Sequence, residues 1–316
     1  MKKSKWLLSV LLAFVLTIQL LPGFSNASSA SVEESSISVQ YLGVNESEIG
    51  TEIPLEFVKQ FGEYDNPNEI TERYYFMSFN EDGTTTTNEI DESQLNTLSV
   101  SPTAVNGVTV STRIDPVPGK SQMTMKSTIR SITGKKPNKL DFKLQLGKAA
   151  TRSNSTSVIS SVTYTLQGVL GIKVGAEVKH TFNISGTGFY TGVLDLTAKN
   201  LLGGVVGTDR ANTDTLLVNK IGDLYPVYTD PASKKVMKEP ARADWARVPS
   251  VKWTTHDRNK YIQWYNKKYP NVYDWNKNHV HHMRPRNLGG TNDYSNLIPL
   301  PKTFHTGTVS PWFTRY

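Results

Sequence analysis

Seven residues, Leu140-Asp141-Phe142-Lys143-Leu144-Gln145-Leu146, alternate apolar and polar without a fault. Such a segment buries one face of a strand and leaves the other to solvent. The pattern recurs at Val162, Tyr164 and Leu166, at Val174, Ala176, Val178, His180 and Phe182, and at Leu194 and Leu196. Turn-forming clusters separate these runs, among them Thr133-Gly134-Lys135-Lys136-Pro137-Asn138 and Ser185-Gly186-Thr187-Gly188. Short alternating segments with this punctuation predict a β-rich domain, sandwich- or barrel-like, over residues 98–231. His180 falls on the apolar side of its strand and reads as a packed side chain.

The 316 residues contain no cysteine, which removes disulfides and cysteine-based zinc sites from consideration. Lys2, Lys3 and Lys5 precede an apolar run from Trp6 to Leu21, which Pro22-Gly23 ends before a stretch of small residues. That is the layout of a secretory signal peptide over residues 1–30. The run is shorter than the ~20 residues a spanning helix needs. The expectation is an exported protein with no membrane span after signal removal.

The net charge of +7 conceals an asymmetry. From Glu33 to Glu92 there are fifteen Asp and Glu against two basic residues, whereas from Pro231 to Tyr316 fifteen Lys and Arg face five acids. Residues 31–97 therefore read as an acidic N-terminal region, either partly ordered or a weakly hydrophobic spacer, with one apolar cluster at Tyr74–Phe79. Residues 232–253 read as a basic linker. Within 254–316, Thr254 and Thr255 are good helix caps, and Tyr261, Ile262, Trp264, Tyr265 and Tyr269 follow at near-helical spacing. A helix is expected over 255–269, ending at Pro270. A basic block of this kind suits a polyanionic partner.

Three of the chain's six histidines fall in His279-Val280-His281-His282. Pro285, Gly289-Gly290, Asn292 and Asn296 follow, then Leu297-Ile298-Pro299-Leu300, and finally His305. Neutral imidazole is a common ligand for divalent transition metals. His281 and His305 meet only if the chain doubles back. Glycine permits the tight loop, a second short strand returns, and Pro301 is placed to open a helix carrying His305. Adjacent residues on a strand face opposite ways, so His281 and His282 share a site only if the strand ends or bends there.

This ordered set resembles the HNH nuclease family, whose ββα-metal core is shared by colicin DNase domains. The resemblance covers about Trp275 to Trp312. It implies a small α+β C-terminal domain over 254–316 and one divalent ion, Mg, Mn, Ni or Zn. By this resemblance His281 and His305 would be the metal ligands, and His282 the general base. Asn296 would pin the loop and orient that base. Arg284 and Arg286 are phosphate clamps by type, Arg284 beside the reacting group and Arg286, with Lys302, on the substrate. His279 shares the strand face of His281 and would serve as ligand, orienting group or phosphate contact, and is assigned here to the substrate. Where the colicin-type pattern carries a further histidine, this chain has Val309.

The expectation is therefore a multidomain secreted endonuclease, metal-dependent and hydrolysing phosphodiester bonds. DNA with little sequence specificity is the substrate the resemblance favours, RNA the alternative. Such a protein would serve as an antibacterial toxin, with an acidic immunity protein as partner, or in scavenging DNA. The rival from another class is a surface- or polymer-binding β protein whose HNH-like domain is inactive.

Overall fold

The alternating segments build two antiparallel sheets that face each other across a shared core. The computed structural model describes residues 37–53, 70–80, 84–95, 106–152, 156–168 and 171–316. The expected signal peptide lies outside them. In chain order the strands are β1 (Ser38–Val44), β2 (Glu52–Ile53), β3 (Arg73–Phe79), β4 (Thr85–Ile90), β5 (Gly107–Val117), β6 (Gln122–Thr133), β7 (Lys139–Ala149), β8 (Thr156–Gln167), β9 (Glu177–Asn183), β10 (Gly188–Lys199) and β11 (Val205–Val218). One sheet runs β1-β8-β7-β10-β11 with β2 also on β8, and the other runs β4-β3-β5-β6-β9.

Leu140, Phe142, Leu144 and Leu146 are fully buried and pack on the core from β7. Their register neighbours carry the same face: Leu144 lies between Val162 and Leu194, and Leu140 between Leu166 and Ala198. Met77, Val108, Val110, Ile114, Met123 and Met125 answer them from the other sheet. The arrangement is an open sandwich. His180 accepts or donates a hydrogen bond with Tyr164 Oη at 2.9 Å and sets its ring against the edge of Phe182, so it packs as expected.

Two segments sharpen the sequence reading or correct it. Of the two readings of the acidic stretch, partly ordered or a spacer, its described residues fit the first, since they supply β1 to β4 to both sheets. β3 is nearly all buried, and Arg73 within it is paired with Asp214 and Glu89. Val174 is not on a core-facing strand: it lies exposed in the turn before β9.

The stretch expected as a linker, with the residues just before it, forms a strap anchored at Met237 and Ala243 and otherwise largely exposed. Its strands β12 (Tyr228–Thr229) and β13 (Val236–Met237) form a small hairpin, and Met237 is buried against Ile298, Leu300 and Val309. Helix α1 (Thr255–Lys268) opens with the capping box Thr254/Asp257 and buries Tyr261 and Tyr265. It is followed by β14 (Asn278–His282), β15 (Leu297–Pro301) and the terminal helix α2, residues 302–314. Trp312 of α2 is buried against Tyr225, Phe189 and Leu217 at the end of the sandwich, and its indole donates to Asp223 O at 2.9 Å.

Asp230 fastens the strap to the C-terminal module. It is wholly buried and accepts from the hydroxyls of Tyr265 (2.5 Å), Tyr273 and Ser233. Burial pushes its carboxyl up, but the hydrogen bonds from Ser233, Tyr265 and Tyr273 outweigh that and hold it below the usual range. A carboxyl depressed in the folded state stabilises the fold above its unfolded pKa of ~4, and that contribution is lost as pH falls through the folded value. Asp230→Ala should lower the unfolding free energy at neutral pH by about 3 kcal/mol, because it strands the buried hydroxyl of Tyr265 and the partly buried ones of Tyr273 and Ser233. The deficit relative to wild type should shrink as the medium is acidified. Urea unfolding followed by tryptophan fluorescence measures both, since every described tryptophan lies at or beyond residue 245.

Candidate active site

β14 and β15 pair antiparallel, with His279 opposite Leu300, His281 opposite Ile298 and His282 opposite Leu297. Pro299 and Pro301 fall at alternate positions, so the N–H groups they lack lie together on the outer edge of the ladder. β14 stops at His282, and Met283 N then donates to Asn296 O at the ladder's end. This ending lets residues of both strand faces reach one cleft. A cavity of about 370 Å³ is lined by His281, His282, His305 and Arg286, together with Trp253 and Pro285.

The loop closing this end needs its glycines. Gly289 has φ of +87°. A Cβ on Gly290 would lie 1.8 Å from Arg284 O, which no side chain can occupy. Asn296 ties the two legs together. Its Oδ1 accepts from Arg284 N at 2.8 Å, and its Nδ2 donates to Arg284 O at 3.1 Å and Thr291 O at 2.8 Å. Asn296 therefore holds the two legs of the loop together.

His282 takes its orientation from another asparagine. His282 Nε2 lies 3.0 Å from Asn292 Oδ1, and Asn292 Nδ2 donates to Lys252 O at 2.7 Å. The second bond fixes the amide with its oxygen toward the histidine, so His282 Nε2 must carry the proton and Nδ1 keeps a lone pair. Trp253 holds the ring edge-on at 4.7 Å between centroids. Asn292 and Trp253 were not among the expected site residues. The one signal for Asn292 was its place directly after the Gly289-Gly290-Thr291 turn.

His305 stands where α2 passes into a single π-helical turn, His305–Val309. Such turns widen a helix and recur at functional sites. His305 Nε2 lies 3.1 Å from His281 Nδ1, and His305 Nδ1 lies 3.1 Å from His279 Nδ1. Three imidazoles thus form one row with His305 at its centre. Burial, and then the charges His305 and His282 would carry, push His281 down to about 3. Burial, then His279, pushes His305 down to about 4. His282 is lowered by burial and by Arg286, against the opposing hydrogen bond it donates to Asn292. His279 is lowered by burial, then by Lys302 and Arg258.

All four rings are consequently neutral at pH 7 and able to offer lone pairs. Among the described residues no three His, Cys, Asp or Glu side chains form a set that could hold a metal ion. The candidate centre is narrower: His281 Nδ1 and His305 Nε2 converge closely enough for one divalent ion to take both lone pairs. The remaining nitrogen of His281, Nε2, is buried without a hydrogen-bond partner. His279 meets His305 on its far nitrogen, where a ligating histidine commonly keeps an orienting partner.

The two arginines part company. Arg286 lines the cleft while one guanidinium nitrogen donates to Val251 O at 2.8 Å. Arg284 is engaged in the loop: its Nε donates to Leu288 O at 2.6 Å and its guanidinium lies 5.1 Å over Trp245. Arg284 is not among the residues that line the cleft. Lys302 is exposed at the start of α2 and acts on His279 through its charge.

A family model described as HNH endonuclease matches residues 267–305, from the end of α1 to His305. No curated protein and no solved structure matches the chain.

The Asn292 contact has a direct spectroscopic consequence. NMR of the imidazole nitrogens should find neutral His282 as the Nε2–H tautomer. In Asn292→Ala that preference should relax to a mixture of the two tautomers, with α1 and the β14–β15 pair unchanged.

Proposed function

From the HNH endonuclease domain at residues 267–305, we propose that the protein is an exported, metal-dependent endonuclease that cleaves DNA with little sequence specificity. One observation carries this reading: His281 Nδ1 and His305 Nε2 meet at 3.1 Å in a cleft that also holds His282 and Arg286. His281 and His305 would hold one divalent ion. Their donor set suits Ni²⁺ or Zn²⁺ better than Mn²⁺ or Mg²⁺, which prefer oxygen ligands. When bound, such an ion supplies Lewis-acid stabilisation of charge on the phosphate oxygens.

The protein's own groups do the rest. His282 takes a proton at Nδ1 from the attacking water, and Asn292 Oδ1 steadies the imidazolium that results by accepting from Nε2–H. The water oxygen bonds to phosphorus as one P–O ester bond breaks, and the ester oxygen departs with its strand and takes a proton from solvent. Arg286 binds a phosphate oxygen at the cleft wall. His279 holds the Nδ1–H of His305 and so presents Nε2 to the ion; it orients the ligand rather than touching substrate. Asn296 keeps β14 and β15 closed at the site. Arg284, held by Leu288 O and Trp245, supports the loop that carries Pro285 and Arg286.

The fifteen Lys and Arg of residues 231–316 supply backbone affinity without base reading. The secretory layout of residues 1–30 and a β sandwich joined to a nuclease module support delivery outside the producing cell, as an antibacterial toxin. An acidic immunity protein covering the basic module is the partner this role requires.

Incubation of the purified protein with plasmid DNA and with RNA, with each metal and with chelator, tests the proposal. Plasmid should be cleaved with added metal and spared by chelator, and His282→Ala should lower the rate by ~10²–10⁴. Cleavage that survives chelator and His282→Ala alike would overturn the mechanism; preference for RNA would overturn the substrate. A separate calorimetric titration addresses His279. His279→Ala should weaken metal binding by ~10–100-fold, and His279→Gln should recover part of that loss.

A further inference from the structure

The sandwich ends opposite the nuclease module in a feature that the nuclease reading does not use. β10 and β11 are joined by Asn200-Leu201-Leu202-Gly203-Gly204. Gly203 N donates to Asn200 O at 3.0 Å, Asn200 N to Gly204 O at 2.9 Å, and Gly204 N to Asn200 Oδ1 at 2.9 Å. Gly203 has φ of +87°. Asn200 and the two glycines thus meet every conformational demand of the turn. Leu201 and Leu202 occupy its corner, where polar residues are usual. Leu202 is 95% exposed, and Leu201, Val205 and Val206 are exposed beside it.

Two neighbouring turns extend this surface. Lys135, Lys136 and Pro137 of the β6–β7 turn share a cavity of about 650 Å³ with Leu201, Leu202 and Val205. The turn before β9 is tied to them by Ile172 N donating to Pro137 O at 3.2 Å, and it carries exposed Lys173 and Val174. Lys199 is occupied by Asp141, while Lys135, Lys136 and Lys173 are exposed cations flanking the apolar tip.

We propose that this end of the sandwich docks on an anionic lipid bilayer, with Leu201 and Leu202 entering the boundary between headgroups and acyl chains. The apolar group is a protruding turn, which suits a soft medium better than a rigid partner. Flanking lysines complement acidic headgroups, as in other interfacial anchors. A second copy of the chain would bring the same lysines face to face. Phe189, Leu217 and Trp312 meet at the opposite ends of β10 and β11, so the nuclease module is held away from the surface by the length of the strands.

The absence of cysteine makes the test clean, because Leu202→Cys gives a unique site for an environment-sensitive fluorophore. Val272→Cys, exposed on the C-terminal module, is the control. Both are made in residues 31–316, which contain the whole compact unit from Ser35 to Tyr316. The probes are vesicles of phosphatidylcholine alone and of phosphatidylcholine mixed with phosphatidylglycerol. The label at 202 should shift to the blue with the mixed vesicles, while the label at 272 stays water-like. The unlabelled double variant Leu201→Asp, Leu202→Asp should partition about a hundredfold more weakly and keep full plasmid cleavage, which shows that it folds. Three outcomes would overturn the proposal: no vesicle binding, equal binding to both vesicle types, or binding that leaves the 202 label unmoved and survives the double variant. In the last case the basic C-terminal module holds the vesicle. Retention on a proteinaceous cell surface without retention on vesicles would likewise overturn it, in favour of a receptor.

Discussion

The pairing of β14 with β15 is the contact on which the candidate site depends. Side chains alternate along a strand, so a slip of one residue would turn His279 and His281 away from α2 and bring His282 in their place. The register is set at both ends. Asn296 and the Gly289-Gly290 turn clamp the loop at one, and Lys302 N donating to Lys277 O closes the other. Ile298 and Leu300, buried beneath the ladder with Val309, fix which face looks inward. Once the register is set, the helix that begins after Pro301 has to return His305 to His281. The histidine pair is therefore a product of backbone pairing and apolar burial.

Much of this was legible in the sequence because it rests on local periodicity. Leu140 to Leu146 alternate because β7 is a central strand with one face wholly buried. Thr254 and Asp257 mark the start of α1 because a cap is a local contact. The meeting of His281 and His305 could be inferred because a short loop and two short strands leave few paths between them. What was missed depends on partners distant in sequence. β1 and β4 are edge strands with little burial, so they join the sheets through backbone pairing more than through apolar contacts. The strap is irregular in sequence but is ordered by Asp230, Met237 and an ion pair from Glu239 to Arg152. Val174 continues the alternation of β9 in sequence, yet the chain turns at Gly175 before the strand begins. Asn292 and Asn296 are equivalent by residue type; only the folded loop shows that one holds the backbone and the other the imidazole.

The strap makes the two modules mechanically dependent. Trp312 seats α2 against the sandwich, while Asp223 accepts from its indole and pairs with Arg315. Ala243 N donates to Ala150 O, and Val248 N donates to Asn287 O. The same twenty residues thus touch the end of β7 on one side and the loop before β15 on the other. A cut within the strap would leave the Trp312 seat in place, so cleavage alone does not free the C-terminal module. Separation requires that an aromatic core be opened as well.

The distribution of carboxylates bears on how the proposed centre would work. Every acid from residue 230 onward is occupied away from the cleft. Asp230 is bound by tyrosines, Glu239 by Arg152, Asp244 by Arg242 and Asp257 by the cap of α1. Asp274 accepts from Asn276 N, and Asp293 from Thr291. The cleft offers neutral imidazoles and the cation of Arg286, with no anion among its lining side chains. A divalent ion held by His281 and His305 would therefore keep its full charge until a phosphate arrives. The two would then bind with positive coupling, each raising the affinity of the other by the same factor. On the proposed function, a weak ion site in the free protein and a strong one on DNA are two aspects of one electrostatic design. A carboxylate at position 279 would weaken that coupling by offsetting the ion's charge before the substrate does.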